Sequence, residues 1–176
     1  MEKNAILEEY KSLRDETLKR VEFRYQIFSL TLIIAGSLLT VGTADNGPRT
    51  VLLIYPILSF FFSASFVYNS MLLVQIGAYI RDIIEESNAV NLGWAKYLKT
   101  RYGAIEPFEI ISTYGLFLGT QVVALIAFFS YNLPIEGSVA ILLTISLIAV
   151  VLTFITLLWP VIYHRGVLSK RQTPDV

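Results

Sequence analysis

The chain has 176 residues, 55% of them hydrophobic, and a mean hydropathy of +0.60, which is too apolar for an ordinary soluble domain and reads as an integral membrane protein. Fourteen basic residues balance fourteen acidic ones, so no bulk charge draws the chain to nucleic acid or to an anionic substrate. Cysteine is absent, which excludes disulfides, thiolate metal sites, palmitoylation and a prenylation box together.

Residues 3–24 carry an amphipathic helical pattern. Ile6, Leu7, Tyr10, Leu13, Leu18, Val21 and Tyr25 recur mostly at three- and four-residue steps, with charges on the other side. Asp15 with Lys19, and Glu16 with Arg20, are acid-before-base pairs four residues apart that support a solvated face. This charged opening does not have the form of a secretory signal, so the first apolar helix is expected to be retained. No breaker follows Arg24, and the helix is predicted to run directly into a first span over 25–44.

Asp45-Asn46-Gly47-Pro48 is a dense turn signal, and the short connection makes the next span the second arm of an antiparallel hairpin. That arm begins at Val51 with 30 uncharged residues and then turns ionic as Arg81-Asp82-Ile83-Ile84-Glu85-Glu86, with no break between. A 36-residue helix reaches about 54 Å against a hydrocarbon core of about 30 Å, so one end stands clear of the lipid. The rest of the chain is organised around this helix. Pro56 falls in its first turns, where a missing donor costs little.

The only long connection, 87–106, interleaves Leu92, Trp94, Tyr97, Leu98 and Tyr102 with Lys96, Lys99 and Arg101. That mix suits a short amphipathic helix at the headgroup level, with Trp94 alternatively packing against the projecting helices. Pro107 opens a third span over 108–131 as an N1 proline. The chain turns through Asn132-Leu133-Pro134 with Glu136-Gly137 and returns over 139–163. The expectation is an all-α protein forming a single membrane domain over 1–176. It is a four-helix transmembrane bundle of two antiparallel hairpins, whose first two helices extend into the cytoplasm.

Thirteen of the fourteen Lys and Arg lie in the N-terminal segment, the long connection and the tail; the two short turns hold only Arg49. By the positive-inside rule both termini and the long connection are expected to be cytoplasmic.

Apart from Glu109, the second residue of the third span, the four spans hold no charged residue, which argues against a proton-driven transporter or a voltage sensor. Each instead carries a small or hydroxyl-bearing face: Ser29, Gly36, Thr40 and Thr43; Ser59, Ser63, Ser70 and Gly77; Ser112, Gly115 and Gly119; Ser146, Ala149 and Thr153. Gly115-Leu-Phe-Leu-Gly119 is a literal GxxxG, the spacing that lets helix backbones approach. Gly36, Ser59, Ser63, Gly77, Gly115 and Gly119 are therefore candidates for helix packing, within the chain or between subunits. The other reading lets part of these faces, with Asn69, Ser70 and Gln75, line a water-filled path between subunits.

At the cytoplasmic rim, Asp82, Glu85, Glu86, Glu106, Glu109 and His164 are the groups with which a metal or acid–base site would be built. The plainer reading is that they end the apolar spans. HExxH, GxSxG, a P-loop and GxGxxG after a strand are all absent from the sequence, and neither an enzymatic activity nor a metal or cofactor is expected. Tyr10, Leu13, Ile83, Ile84 and Trp94 are candidates for contact between the projecting helices or with a cytoplasmic protein partner.

The segments LEEYKSLRDETLKRVEFRYQI, QIGAYIRDIIEE and LGWAKYL resemble a group of small bacterial four-pass membrane proteins without an established activity, over about two thirds of the chain. The resemblance implies a bacterial plasma membrane location. In architecture alone, the order helix, two spans, helix resembles the two-span SLATT effectors, thought to act as membrane pores; the hairpin from Pro107 onward departs from that pattern. Two functions follow as expectations: an oligomeric, cytoplasmically gated pore or membrane-perturbing effector, and a membrane scaffold that docks a soluble partner.

Overall fold

The computed structural model describes residues 2–85, 111–131 and 136–170, with side chains over 4–82, 111–131 and 136–160. The expected connection 87–106, Pro107 and the turn at Asn132, Leu133 and Pro134 lie outside the described residues. Those residues are all-helical but for the turns, and four of the helices are long and apolar enough to cross a membrane. They are α1 (Glu2–Thr43), α2 (Val51–Tyr79), α3 (Ile111–Phe129) and α4 (Ser138–Lys170).

α1 passes from charged to apolar sequence without interruption. It contains no proline, and a helix satisfies its peptide groups internally, so the same backbone suits water and lipid. Its serines and threonines stay helical by bonding back one turn: Thr31 donates to Ile27 O at 2.7 Å, Thr40 to Gly36 O at 2.8 Å and Thr43 to Leu39 O at 2.7 Å. α1 stops where the predicted turn begins. Gly47 N donates to Ala44 O at 3.0 Å, and a Cβ on Gly47 would overlap the Val41 carbonyl.

Arg49 holds this end. Its guanidinium donates to Gly42 O at 2.7 Å, to Ala44 O and to Asp45 O at 3.1 Å, the carbonyls a helix C-terminus leaves without partners. The same guanidinium lies 3.9 Å from the centroid of the Tyr131 ring, and the Tyr131 hydroxyl donates to Thr43 O at 3.3 Å. The one basic residue of the two short turns thus has a structural task.

Two π-helical segments depart from the α-helix that the sequence pattern predicts. α2 is prolonged as a π-helix over Ile80–Glu85, and Gly115–Gly119 of α3 is π-helical as well. In a π-helix each turn holds more residues than in an α-helix, so an α-helical face does not carry on unchanged through such a segment. Gly115 and Gly119 are the first and last residues of the second segment. Beside the second segment, Thr120 donates its hydroxyl to Leu116 O and its N–H to Leu116 O and Phe117 O, so the i−4 bond of an α-helix is already present where the segment ends.

The helices form two compact units, Met1–Gln26 with Tyr68–Ser112, and Ile27–Val67 with Thr113–Val176. In the first, the start of α1 runs antiparallel to the end of α2. Asn69 meets Arg20 and Tyr79 meets Glu9, so that ten residues of one helix match eleven of the other, about 15 Å against about 16 Å of rise. The second unit is a four-helix bundle in which α2 is the most enclosed, with Leu52, Leu53, Tyr55, Pro56, Ser59 and Ser63 fully buried. Ala35, Tyr55 and Ala124 form one core cluster; Leu52, Leu53 and Phe128 form another. Phe28 stacks on Phe66 with centroids 4.9 Å apart, and both meet Phe117, at 6.0 and 5.7 Å.

Candidate functional site

The interior of the second unit is more polar than the apolar spans suggest. Thr31, Ser59, Ser63, Gln121, Ser146 and Thr153 are all at 0% exposure, and Thr113 is buried too. Their bonds connect the helices. Tyr55 and Thr120 share a hydrogen bond of 2.6 Å, and Ser59 Oγ makes a long 3.5 Å contact to Phe117 O in the π-helical segment. Gln121 Nε2 donates to Thr153 Oγ1 at 3.0 Å, and Ser146 Oγ reaches Leu53 O at 2.5 Å and Leu142 O at 2.8 Å. Ser146 therefore bonds α2 at the carbonyl next to that of Leu52, which Pro56, lacking an N–H, leaves without its helical donor; neighbouring hydroxyls commonly support such breaks in membrane helices.

The sequence-derived faces divide. On α4, Ser146, Ala149 and Thr153 are buried, and on α2 so are Ser59 and Ser63; both sets pack within the chain. Ser70 is half-buried and Gly77 is exposed. On α1 the order is the reverse of a within-chain face: Ser29, Gly36, Thr40 and Thr43 are all exposed, and the inward stripe is Ile27, Thr31, Ala35 and Gly42. A Cβ on Gly36, Gly77, Gly115 or Gly119 would meet nothing within 4 Å, so none of the described residues approaches these glycines closely. The close approach is made by Gly42, where a Cβ would overlap the Leu52 side chain.

In the first unit, Asn69 is buried at 4% exposure and its amide is used at both ends: Nδ2 donates to Arg20 O at 2.7 Å, and Oδ1 accepts from Arg20 at 3.4 Å. Arg20 also bonds Glu16 Oε1, from Nε at 2.9 Å, so the predicted pair on one helix continues across to the other. Gln75 is exposed, while Tyr10 and Leu13 are half-buried. Tyr79 OH donates to Glu9 Oε1 at 2.7 Å, and Ile80 is buried at 8% exposure.

Of the rim groups, only Asp82 is described with its side chain. Asp82 pairs with its neighbour Arg81 at 2.6 Å. Ile83, Ile84, Glu85 and His164 are described in the backbone alone, whereas Glu86, Trp94, Glu106 and Glu109 lie outside the described residues. Among the described residues no three His, Cys, Asp or Glu side chains are grouped to hold a metal ion.

Sequence reasoning passed over Gln121, Thr31, Tyr55 and Gly42. Gln121 had a signal: it is the only amide side chain between Ile111 and Phe129. Thr31 and Gly42 had none, because hydroxyl and small residues occur on both sides of α1. No family model matches the chain, and no curated protein or solved structure is similar to it.

Proposed function

We propose that this chain is a non-enzymatic membrane protein that self-associates in the bilayer through the outward strip of α1 and works as a pore governed by its cytoplasmic helix pair. The observation that carries the reading is the outward placement of Ser29, Gly36, Thr40 and Thr43. A lipid-facing helix has no use for a glycine with open space around it, whereas a second helix can approach closely there. The hydroxyls bond their own helix and remain able to accept further bonds, which suits either a subunit contact or a polar path at the axis. The likeness in architecture to the SLATT effectors points the same way. Both termini then face the cytoplasm, by the distribution of Lys and Arg.

A second reading is a scaffold that conducts nothing and docks a soluble partner. What favours it is the exposed apolar surface of the first unit, including Leu18, Phe23, Tyr68 and Val74. The native mass of the detergent-solubilised protein, with ion flux from liposomes carrying a fluorescent reporter, tests both. The pore reading expects an oligomer that passes ions; a monomer, or an oligomer silent under all voltages and salts, removes it.

A further inference from the structure

Gln121 is fully buried, at 0% exposure, in the middle of α3: it is the eleventh residue of Ile111–Phe129, with about 12–15 Å of helix on either side. One end of its amide is bound, since Nε2 donates to Thr153 Oγ1 at 3.0 Å. Its other end, Oε1, is the one buried side-chain polar atom among the described residues without a partner in the chain.

The hydroxyl protons of the bundle's bonded side chains are already committed. Thr153 donates to Ala149 O at 2.9 Å and therefore receives the Gln121 amide as an acceptor. Thr120 donates to Leu116 O, which leaves Tyr55 to donate to Thr120. Ser146, Ser63 and Thr31 all donate to backbone carbonyls. Exchanging the amide's oxygen and nitrogen does not help: Thr153 could then donate to the oxygen, but both N–H protons would be left without a partner. An unpaired amide oxygen in an apolar interior is costly, by about 1–3 kcal/mol. A leucine in its place would carry no such cost.

We infer that Gln121 Oε1 is a hydration site, taking the hydrogen bond of a water molecule held inside the helix bundle at mid-depth of the membrane. A small neutral donor is the chemistry that fits. The groups around Gln121 that are named above are all neutral, and an ion entering them would lose its hydration against dipoles alone. Water supplies the missing proton. The inference stands apart from self-association, since Gln121 packs within one chain.

The test keeps Gln121 as the only labelled glutamine. Gln26 and Gln75 are exposed and are replaced by Glu, together with Gln172. The protein, labelled with carbon-13 and nitrogen-15 glutamine, is reconstituted in deuterated lipid bilayers, and magnetisation is transferred from water protons to the side-chain amide by solid-state NMR. Rapid transfer to the Gln121 amide, with loss of the signal in D2O, is the expected result. An amide that receives no water magnetisation and keeps its protons in D2O overturns the inference. Should the triple variant fail to fold, the same transfer is read in the parent protein, with the Gln121 signals identified as those missing from Gln121→Met.

Discussion

The side-chain amide of Asn69 clasps the backbone of Arg20: Nδ2 donates to the Arg20 carbonyl at 2.7 Å, and the Arg20 guanidinium returns a longer bond to Oδ1 at 3.4 Å. A helix carbonyl already accepts from within its own helix, so this bond uses its second lone pair and fixes the register of the two helices. Asn69→Leu removes both bonds while keeping comparable volume. It is expected to weaken the helix pair by about 1–2 kcal/mol. A cysteine pair at Glu9 and Tyr79, exposed partners a turn or more away, reads the outcome. Its oxidative cross-linking should slow in Asn69→Leu, and unchanged cross-linking would show that the clasp does not set the register.

Gly42 and Gly36 lie on opposite sides of α1 and predict opposite results. Gly42→Val drives a side chain into Leu52 and is expected to destabilise the second unit by about 1–3 kcal/mol. Gly36→Ala meets open space within the chain and gains up to about 1 kcal/mol of helix propensity. Thermal unfolding in detergent separates them: the midpoint should fall for the first and hold or rise for the second.

The outward glycines test association without disturbing the fold. Gly36→Leu and Gly115→Ile, made singly, should leave the unfolding midpoint of the monomer near that of the parent, because a Cβ at either position meets nothing within 4 Å among the described residues. Where subunits meet at these faces, the native mass drops. If both variants keep the parent's oligomeric mass, these glycines face lipid.

Arg49 joins three carbonyls at the end of α1 to the Tyr131 ring. Arg49→Lys keeps the charge and loses the planar fork, so it should recover only part of the stability lost in Arg49→Ala, which is expected to cost about 1–3 kcal/mol. Full rescue by lysine, seen as an equal unfolding midpoint, would mean that charge alone holds the turn.

Orientation is open to direct labelling in this cysteine-free chain. Cysteines at Asn46 and Gly137 should react with an impermeant thiol reagent applied to intact cells, and one at Asn91 should not. External reaction at Asn91 reverses the topology.

The sequence alone determined that the chain is helical and crosses a membrane. Long uncharged runs, the Asp45–Pro48 turn and the unbroken passage through Arg24 are local properties, and α1, α2 and α4 follow them. It also indicated the pairing of Glu16 with Arg20, a contact between residues one turn apart. Which side of each helix faces inward was decided only by the tertiary structure. In water the apolar side of a helix is the buried side; in lipid both sides are apolar, and the pattern that marks a core is lost. Ser29 and Thr31 illustrate this, being two residues apart, both hydroxyl-bearing, and on opposite sides of α1. The π-helical segments, the Gly42 contact with Leu52, the stacking of Arg49 on Tyr131 and the buried Gln121 all join residues that local sequence does not relate. Packing among helices selected them.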